Sequence, residues 1–187
     1  MSNSKTVIIG LFNPKSPSNV GAVLRAAGCY QADALRYTGE RFERATKYQT
    51  DTKNVKSKIP SAHVETMLQD LPQHIEVVCV EFAEGAASLP KFVHPAHAIY
   101  VFGPEDGSLP QNIIDAANYV VYVPTIGCMN LAASVNVLLY DRLVKGGTSL
   151  AGDDIIKSSR DTNNRLRVNV GRNFHRQHIF VEGEESE

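Results

Sequence analysis

Apolar positions along the 187-residue chain fall into two patterns, short unbroken runs and longer stretches of helical spacing. Residues 6–12 (TVIIGLF), 75–82 (IEVVCVEF), 98–102 (AIYVF) and 119–123 (YVVYV) are continuous and largely β-branched or aromatic. That is the signature of strands buried on both faces. Residues 34–38 read as a further short strand. Between the runs, Val20, Val23, Leu24 and Ala27 recur at helical spacing, with Ser18 or Asn19 as cap and Gly28 as stop. Ser61 is placed to cap a second helix through Leu71, with Val64, Met67, Leu68 and Leu71 on one face. Pro110 suits the first position of a helix over 111–118. Leu131, Val135, Leu138, Leu139 and Leu143 line one side of a last helix that stops at Gly146-Gly147.

Residues 39–60 have no clean period and read as a long basic loop holding Phe42 and Tyr48, with at most a helical turn. Loops of that length in a compact domain are usually functional. From residue 148 onward the chain is polar and weakly periodic, with a short strand expected at 178–181. Strands alternating with helices imply an α/β layer with a mainly parallel sheet. No internal repeat appears. The expected organisation is one folded domain, residues 1–150, followed by a polar and partly ordered extension, 151–187.

Composition narrows the class. With 43% apolar and 21% charged residues, this is the make-up of a globular protein rather than a disordered one. No apolar run approaches the roughly 20 residues that cross a bilayer. The N-terminal residues lack a signal-peptide pattern, so a cytoplasmic location without membrane attachment is expected. Cys29, Cys79 and Cys128 form neither a disulfide framework nor a metal motif. The pairs His94/His97 and His175/His178 have no cysteine neighbours and no HExxH helix, and no metal is expected.

Net charge is −1, which excludes coating nucleic acid by bulk electrostatics. Charge is nevertheless uneven. Residues 36–58 hold seven Lys or Arg against three Asp or Glu, and residues 157–176 hold six against one. Such patches fit either ordinary solvated surface or a folded RNA bound at a defined place.

Three turns carry the candidate chemistry, each joining a strand-like run to a helix-like one, where α/β sheets build their crevices. The first is Asn19-Val20-Gly21 with Arg25 following, at a helix start able to hold a phosphate. Arg25 lies among Val23, Leu24, Ala26 and Ala27, an apolar setting in which a charge needs a specific partner. The second is Phe102-Gly103-Pro104-Glu105-Asp106-Gly107. A glycine at a strand end admits close approach of a ligand, and Glu105 can accept backbone N–H groups and orient Asn19 or Arg25. The third is Cys128-Met129-Asn130-Leu131-Ala132.

In this order and spacing the turns resemble those of the SpoU/TrmH family of the SPOUT superfamily, S-adenosylmethionine-dependent RNA ribose 2′-O-methyltransferases. The resemblance covers roughly residues 6 to 147. It departs from the family pattern at Ser108, where a glycine is usual, at Cys128, where a serine is usual, and at Ala132, often a second serine. The resemblance implies a Rossmann-like sheet whose C-terminal segment threads a trefoil knot. It implies the cofactor S-adenosylmethionine, held mainly by backbone groups of Val80, Gly103, Val123, Cys128, Met129 and Leu131. It implies catalytic roles for Arg25, Asn19, Glu105 and Asn130. It also implies a homodimer, for which the apolar faces of 20–27 and 131–143 offer a surface that monomer core burial explains equally well.

A guanidinium rarely gives up its proton. Arg25 is therefore expected to grip the flanking phosphate and stabilise a developing alkoxide rather than act as a literal base. RNA contact is expected from Arg41, Arg44, Lys47 and Tyr48, and secondarily from Arg165, Arg167 and Arg172, with tRNA favoured over rRNA. Two other readings stand beside this one. They are a non-catalytic RNA- or cofactor-binding module on the same scaffold, and an enzyme acting on a small nucleotide, though no P-loop or GxGxxG fingerprint is present.

Overall fold

The first apolar run forms β1 (Thr6–Leu11), an inner strand of a seven-stranded parallel sheet among the described residues. The computed structural model describes residues 5–47, 59–147 and 152–168. The chain divides into two units, Met1–Thr148 and Ser149–Glu187. In the first, β2 (Ala34–Tyr37), β3 (Ser61–His63), β4 (Glu76–Val80), β5 (Ala87–Ser88), β6 (His97–Phe102) and β7 (Tyr119–Tyr122) complete the sheet in the order β3-β2-β1-β6-β4-β7-β5. Every pairing is parallel, with Ile9 opposite Leu35 on one side and Tyr100 on the other.

Both faces of the inner strands β1, β4 and β6 are buried, as the continuous apolar runs predict. Along β6 the side chains alternate with period two. Ala98, Tyr100 and Phe102 join one core with Ile9 and Leu11, while Ile99 and Val101 join a second with Val77 and Cys79. The first core is covered by α1 (Pro17–Cys29) and α4 (Leu131–Lys145), which pack on each other; α1 also meets α2 (Arg41–Lys47). The second is covered by Met67 and Leu109 and by Ile113 of α3 (Gln111–Asp115).

Several expected boundaries shift for local reasons. Ser16, not Ser18 or Asn19, caps α1, because Pro17 takes the first helical position it favours. The helix runs past Gly28 to Cys29, and the left-handed residue beyond it is Gln31, with φ 55°. Pro110 caps α3 from outside rather than starting it. That helix ends at Asp115, because the backbone and side chain of Asn118 already pair with Val77.

The expected helix over 61–71 is not there. Residues 61–63 pair with β2 as an edge strand, and the following residues are turns. Met67 is buried, and Leu68 and Leu71 pack beside it, so the apolar spacing marks a real core contact. Sheet pairing overrides helical propensity here. Residues 39–60, read as a loop, contain α2, whose Phe42 stacks on Tyr37 at 3.7 Å between ring centroids.

In the second unit, α5 (Asp153–Ser159) is a two-turn helix with both Asp153 and Asp154 in its first turn, where the helix dipole favours them. Ile155 and Ile156 are exposed. The strand expected at 178–181 lies outside the described residues. No helix among the described residues is long and apolar enough to cross a membrane.

Candidate active site

The carboxyl ends of β4, β6 and β7 open onto one cleft of about 430 Å³. A volume of that size suits a small-molecule ligand, and strand ends are where α/β sheets bind them. Nine of the residues singled out in the sequence line it together: Asn19, Val80, Gly103, Glu105, Val123, Cys128, Met129, Asn130 and Leu131.

Glu105 organises this cleft. Its Oε2 accepts the Lys15 amide at 2.7 Å and its Oε1 accepts the Ser16 amide at 2.9 Å and Asn19 Nδ2 at 3.1 Å. One carboxylate thereby fixes the loop before α1 to the loop after β6. Burial alone would raise the Glu105 pKa, but the amides of Ser16 and Lys15 and the side chain of Asn19 outweigh it, and the net direction is downward.

Its neighbour Asp106 draws Lys15 Nζ to 3.3 Å and Arg41 Nη1 to 2.9 Å. Hydrogen bonds from Arg41 and then Lys15 pull the Asp106 carboxyl down to about 2. Arg41 is committed here. Its Nε donates to Asn13 Oδ1 at 2.9 Å and its Nη2 to the Asn13 carbonyl at 2.5 Å and to Asp106 Oδ1 at 3.2 Å. Gly39, with φ 75°, lies so close that a Cβ would sit 2.4 Å from Asn13 Oδ1. Only glycine suits that backbone and that space.

Asn130 is the N-cap of α4, its Oδ1 accepting the Ala133 amide at 2.7 Å. The cap aims the start of α4 into the cleft, where Ser134 also contributes to the lining. The preceding loop is braced by Thr125, whose hydroxyl donates to the Gly127 carbonyl at 2.7 Å. Cys128 presents an exposed thiol there.

Arg25 does not line the cleft. It is exposed on α1, on the side that also shows Ser18, Ala22 and Cys29. Six residues of helix carry the chain about 9 Å along and roughly 240° around the axis. Asn19 lines the cleft, and Arg25, on another side of the same helix, is not among the lining residues. Its sequence neighbours Val23, Leu24, Ala26 and Ala27 are buried, while Arg25 itself is exposed.

The expected RNA-contacting residues separate. Arg41 is held in the Asn13–Asp106 network. Arg44 is exposed on α2, and Lys47 ends that helix. Tyr48 lies outside the described residues. In the second unit Arg165 and Arg167 are exposed, and Arg172 is outside the described residues.

Sequence reading missed four lining residues, Glu81, Phe82, Tyr122 and Ser134. The strand expected through residue 82 stops at Val80; the Glu81 amide still donates to the Val121 carbonyl at 2.9 Å, and Glu81 and Phe82 line the cleft. The available signal was Glu81 itself, a charge ending an apolar run at the carboxyl end of a strand. Phe82 and Tyr122 form an aromatic pair at 5.9 Å.

His94 and His97 do not converge. The His94 ring nitrogens bond Tyr100 Oη and Asp141 Oδ2, each at 2.8 Å, while His97 Nδ1 meets Thr6. Arg142 donates to Tyr100 Oη at 2.7 Å and to the carbonyls of Pro95 and Ala96. Burial lowers the His94 pKa, against the opposing pull of Asp141, and pushes Tyr100 up to about 12. This network ties the end of α4 to the start of β6. No cluster of three or more metal-ligating side chains occurs among the described residues.

A parallel α/β sheet with its cleft built from three strand ends and the N-terminus of a capped helix defines a ligand-binding Rossmann-like domain. The comparisons make the class specific: the chain belongs to the SpoU rRNA methylase family, whose model matches residues 6–140. No curated protein matches it. Among solved structures, an RNA 2′-O ribose methyltransferase is 25% identical, with TM-score 0.63, covering 76% of this chain and 57% of its own. The SpoU methyltransferase AviRb from Streptomyces viridochromogenes, solved with AdoMet, is 17% identical with TM-score 0.64, covering 78% and 59%. A structure described as giving insight into the 2-OH methylation of C/U34 on tRNA is 22% identical with TM-score 0.66, covering 75% of this chain and 91% of its own. The chain thus spans less than two thirds of the length of two of these three.

Proposed function

We propose that this protein is an S-adenosylmethionine-dependent RNA methyltransferase acting on a ribose 2′-oxygen, with tRNA favoured over rRNA. One observation carries the reading: the residues expected to hold the cofactor and those expected to position the ribose, Arg25 apart, line a single cleft. Two features of the chain fit the cofactor. The cleft volume suits a nucleoside-sized ligand, and its walls at Val80, Val123 and Leu131 are apolar while Asn130 and Glu105 bring polar groups to one side.

When bound, the cofactor supplies a methyl group on an electrophilic sulfonium. This chain's residues supply alignment, which alone can contribute roughly 7–11 kcal/mol in the best cases. Glu105 holds Asn19 in place, and Asn130 fixes the start of α4. Their amide groups are the candidates to orient the ribose. Arg25 grips the phosphate beside it and stabilises negative charge on the attacking oxygen.

Since Arg25 does not line the cleft of its own protomer, the reading takes a homodimer in which it serves the partner's cleft. The exposed side of α1 and the stripe Val137, Tyr140 and Val144 on α4, each between 39 and 59% exposed, are the proposed contact. The faces first considered, 20–27 and 131–143, are spent largely on the core, where Val20, Val23, Val135 and Leu138 are fully buried. A trefoil knot through the C-terminal part is proposed with the fold. The adjacency of the 103–109 and 123–130 loops at one cleft supports it.

The position of Arg25 also favours a second reading, a non-catalytic cofactor- or RNA-binding module, should the protein be monomeric. Incubation with labelled S-adenosylmethionine and total RNA, followed by digestion to nucleosides, decides between them. Label in a 2′-O-methylnucleoside supports the enzyme. Cofactor binding without label in RNA supports the module.

A further inference from the structure

Among the described residues lining the cleft, only Glu81 and Glu105 carry formal charge. The two are not equivalent. Glu105 spends its oxygens on Lys15, Ser16 and Asn19. Glu81 accepts only two backbone amides, its Oε1 that of Phe82 at 3.0 Å and its Oε2 that of Leu109 at 3.0 Å. It meets no cation among the described residues. Its carboxylate is pressed against the end of β6, where a Cβ on residue 103 would lie 3.1 Å from Oε2. Gly103 therefore makes room for the Glu81 carboxylate as well as for a ligand. The outcome is a half-buried carboxylate lining the cleft, held by two amides and paired with no cation among the described residues.

From this we infer that Glu81 makes the cleft distinguish the charged methyl donor from the spent cofactor. The inference rests on the function proposed above. On transfer, the carbon–sulfur bond breaks with its electron pair left on sulfur, a carbon–oxygen bond forms, and the hydroxyl proton passes to solvent. The cofactor goes from a net charge of +1 to neutral. A fixed carboxylate nearby attracts the first form and not the second, so it favours loading of donor and release of product. Glu81 is a specificity-determining residue in this account. It takes no part in bond making.

The test is calorimetric titration of the full chain and of Glu81→Gln with S-adenosylmethionine and with S-adenosylhomocysteine. Glutamine keeps an acceptor for the Leu109 amide and removes the charge. The substitution should weaken the donor by about five- to tenfold and leave the product's affinity unchanged. In the unsubstituted protein, added salt should weaken donor binding and spare the product. That arm needs no variant and decides the matter if Glu81→Gln fails to fold. An equal effect of the substitution on both ligands, or of salt on both, overturns the inference while leaving the methyltransferase reading in place. Binding of neither ligand by the unsubstituted chain removes that reading itself.

Discussion

Glu105 and Asn19 stand 86 residues apart in the chain and meet at 3.1 Å beside the cleft. The contact turns two separate sequence motifs into one object. A carboxylate that accepts three donors works only when ionised, because protonation converts one acceptor into a donor facing N–H groups.

Acid should therefore unlock the cleft before it unfolds the sheet. The Glu105 pKa is depressed, and Asp106 lies at about 2. A depressed carboxyl contributes stability that is present above its ordinary range and is lost as pH falls through its folded value. Cofactor affinity should stay flat down to the usual carboxylate range near pH 4.5 and fall below it. Calorimetric titration across that range checks this, with far-ultraviolet circular dichroism retained as cofactor binding is lost. In Glu105→Gln, affinity should already be low at neutral pH.

Arg41 stands in the sequence as an RNA contact and in the structure as a clamp on Asn13 and Asp106. Arg41→Lys keeps the charge but cannot reproduce the planar fork. It should lower thermal stability and weaken cofactor binding, with little change in the salt dependence of RNA binding. A selective loss of about one unit in that salt slope, with melting unchanged, would return Arg41 to the RNA surface.

How much of this the sequence disclosed depends on which interactions are local. β1, β4 and β6 were legible because both their faces are buried, which leaves continuous apolar runs. Gly103, Glu105 and Asn130 were legible because each sits in a loop with its own composition, and Asn19 because it lies in the first turn of α1 beside one. The edge strand at Ser61 was not, since its pairing partner Leu35 is remote and its apolar spacing mimics a helix. Nor was the service of Arg41 to Asp106, which depends on a loop 65 residues away. For Arg25 the apolar neighbours in sequence mark the buried side of α1, while the residue itself is exposed.

The dimeric reading of Arg25 makes a complementation test possible. Arg25→Ala and Asn130→Ala should each be inactive alone, and Arg25→Ala should retain cofactor binding. Mixed under conditions that exchange subunits, they should recover about a quarter of normal activity, because half of the dimers then hold one intact site. No recovery, with exchange verified, would place Arg25 in the service of its own protomer. Tyr140→Glu, on the proposed contact, should yield monomers in sedimentation experiments and abolish methylation without loss of fold.

The His94 network offers a prediction independent of the cleft. His94 is buried between Tyr100 and Asp141, and its pKa is lowered chiefly by that burial. A histidine kept neutral by folding contributes stability that is complete above its ordinary value of 6.5 and is lost as pH falls through the lowered folded value. Stability should thus decline below pH 6.5, with a slope of at most about 1.4 kcal/mol per pH unit from this group. Tyr100→Phe removes the hydroxyl that both His94 and Arg142 use, and should cost roughly 1–3 kcal/mol at neutral pH. Urea unfolding of the unsubstituted protein, Tyr100→Phe and His94→Gln at several pH values checks both statements. In His94→Gln the decline just below pH 6.5 should flatten, and its persistence there would assign the pH dependence to other groups.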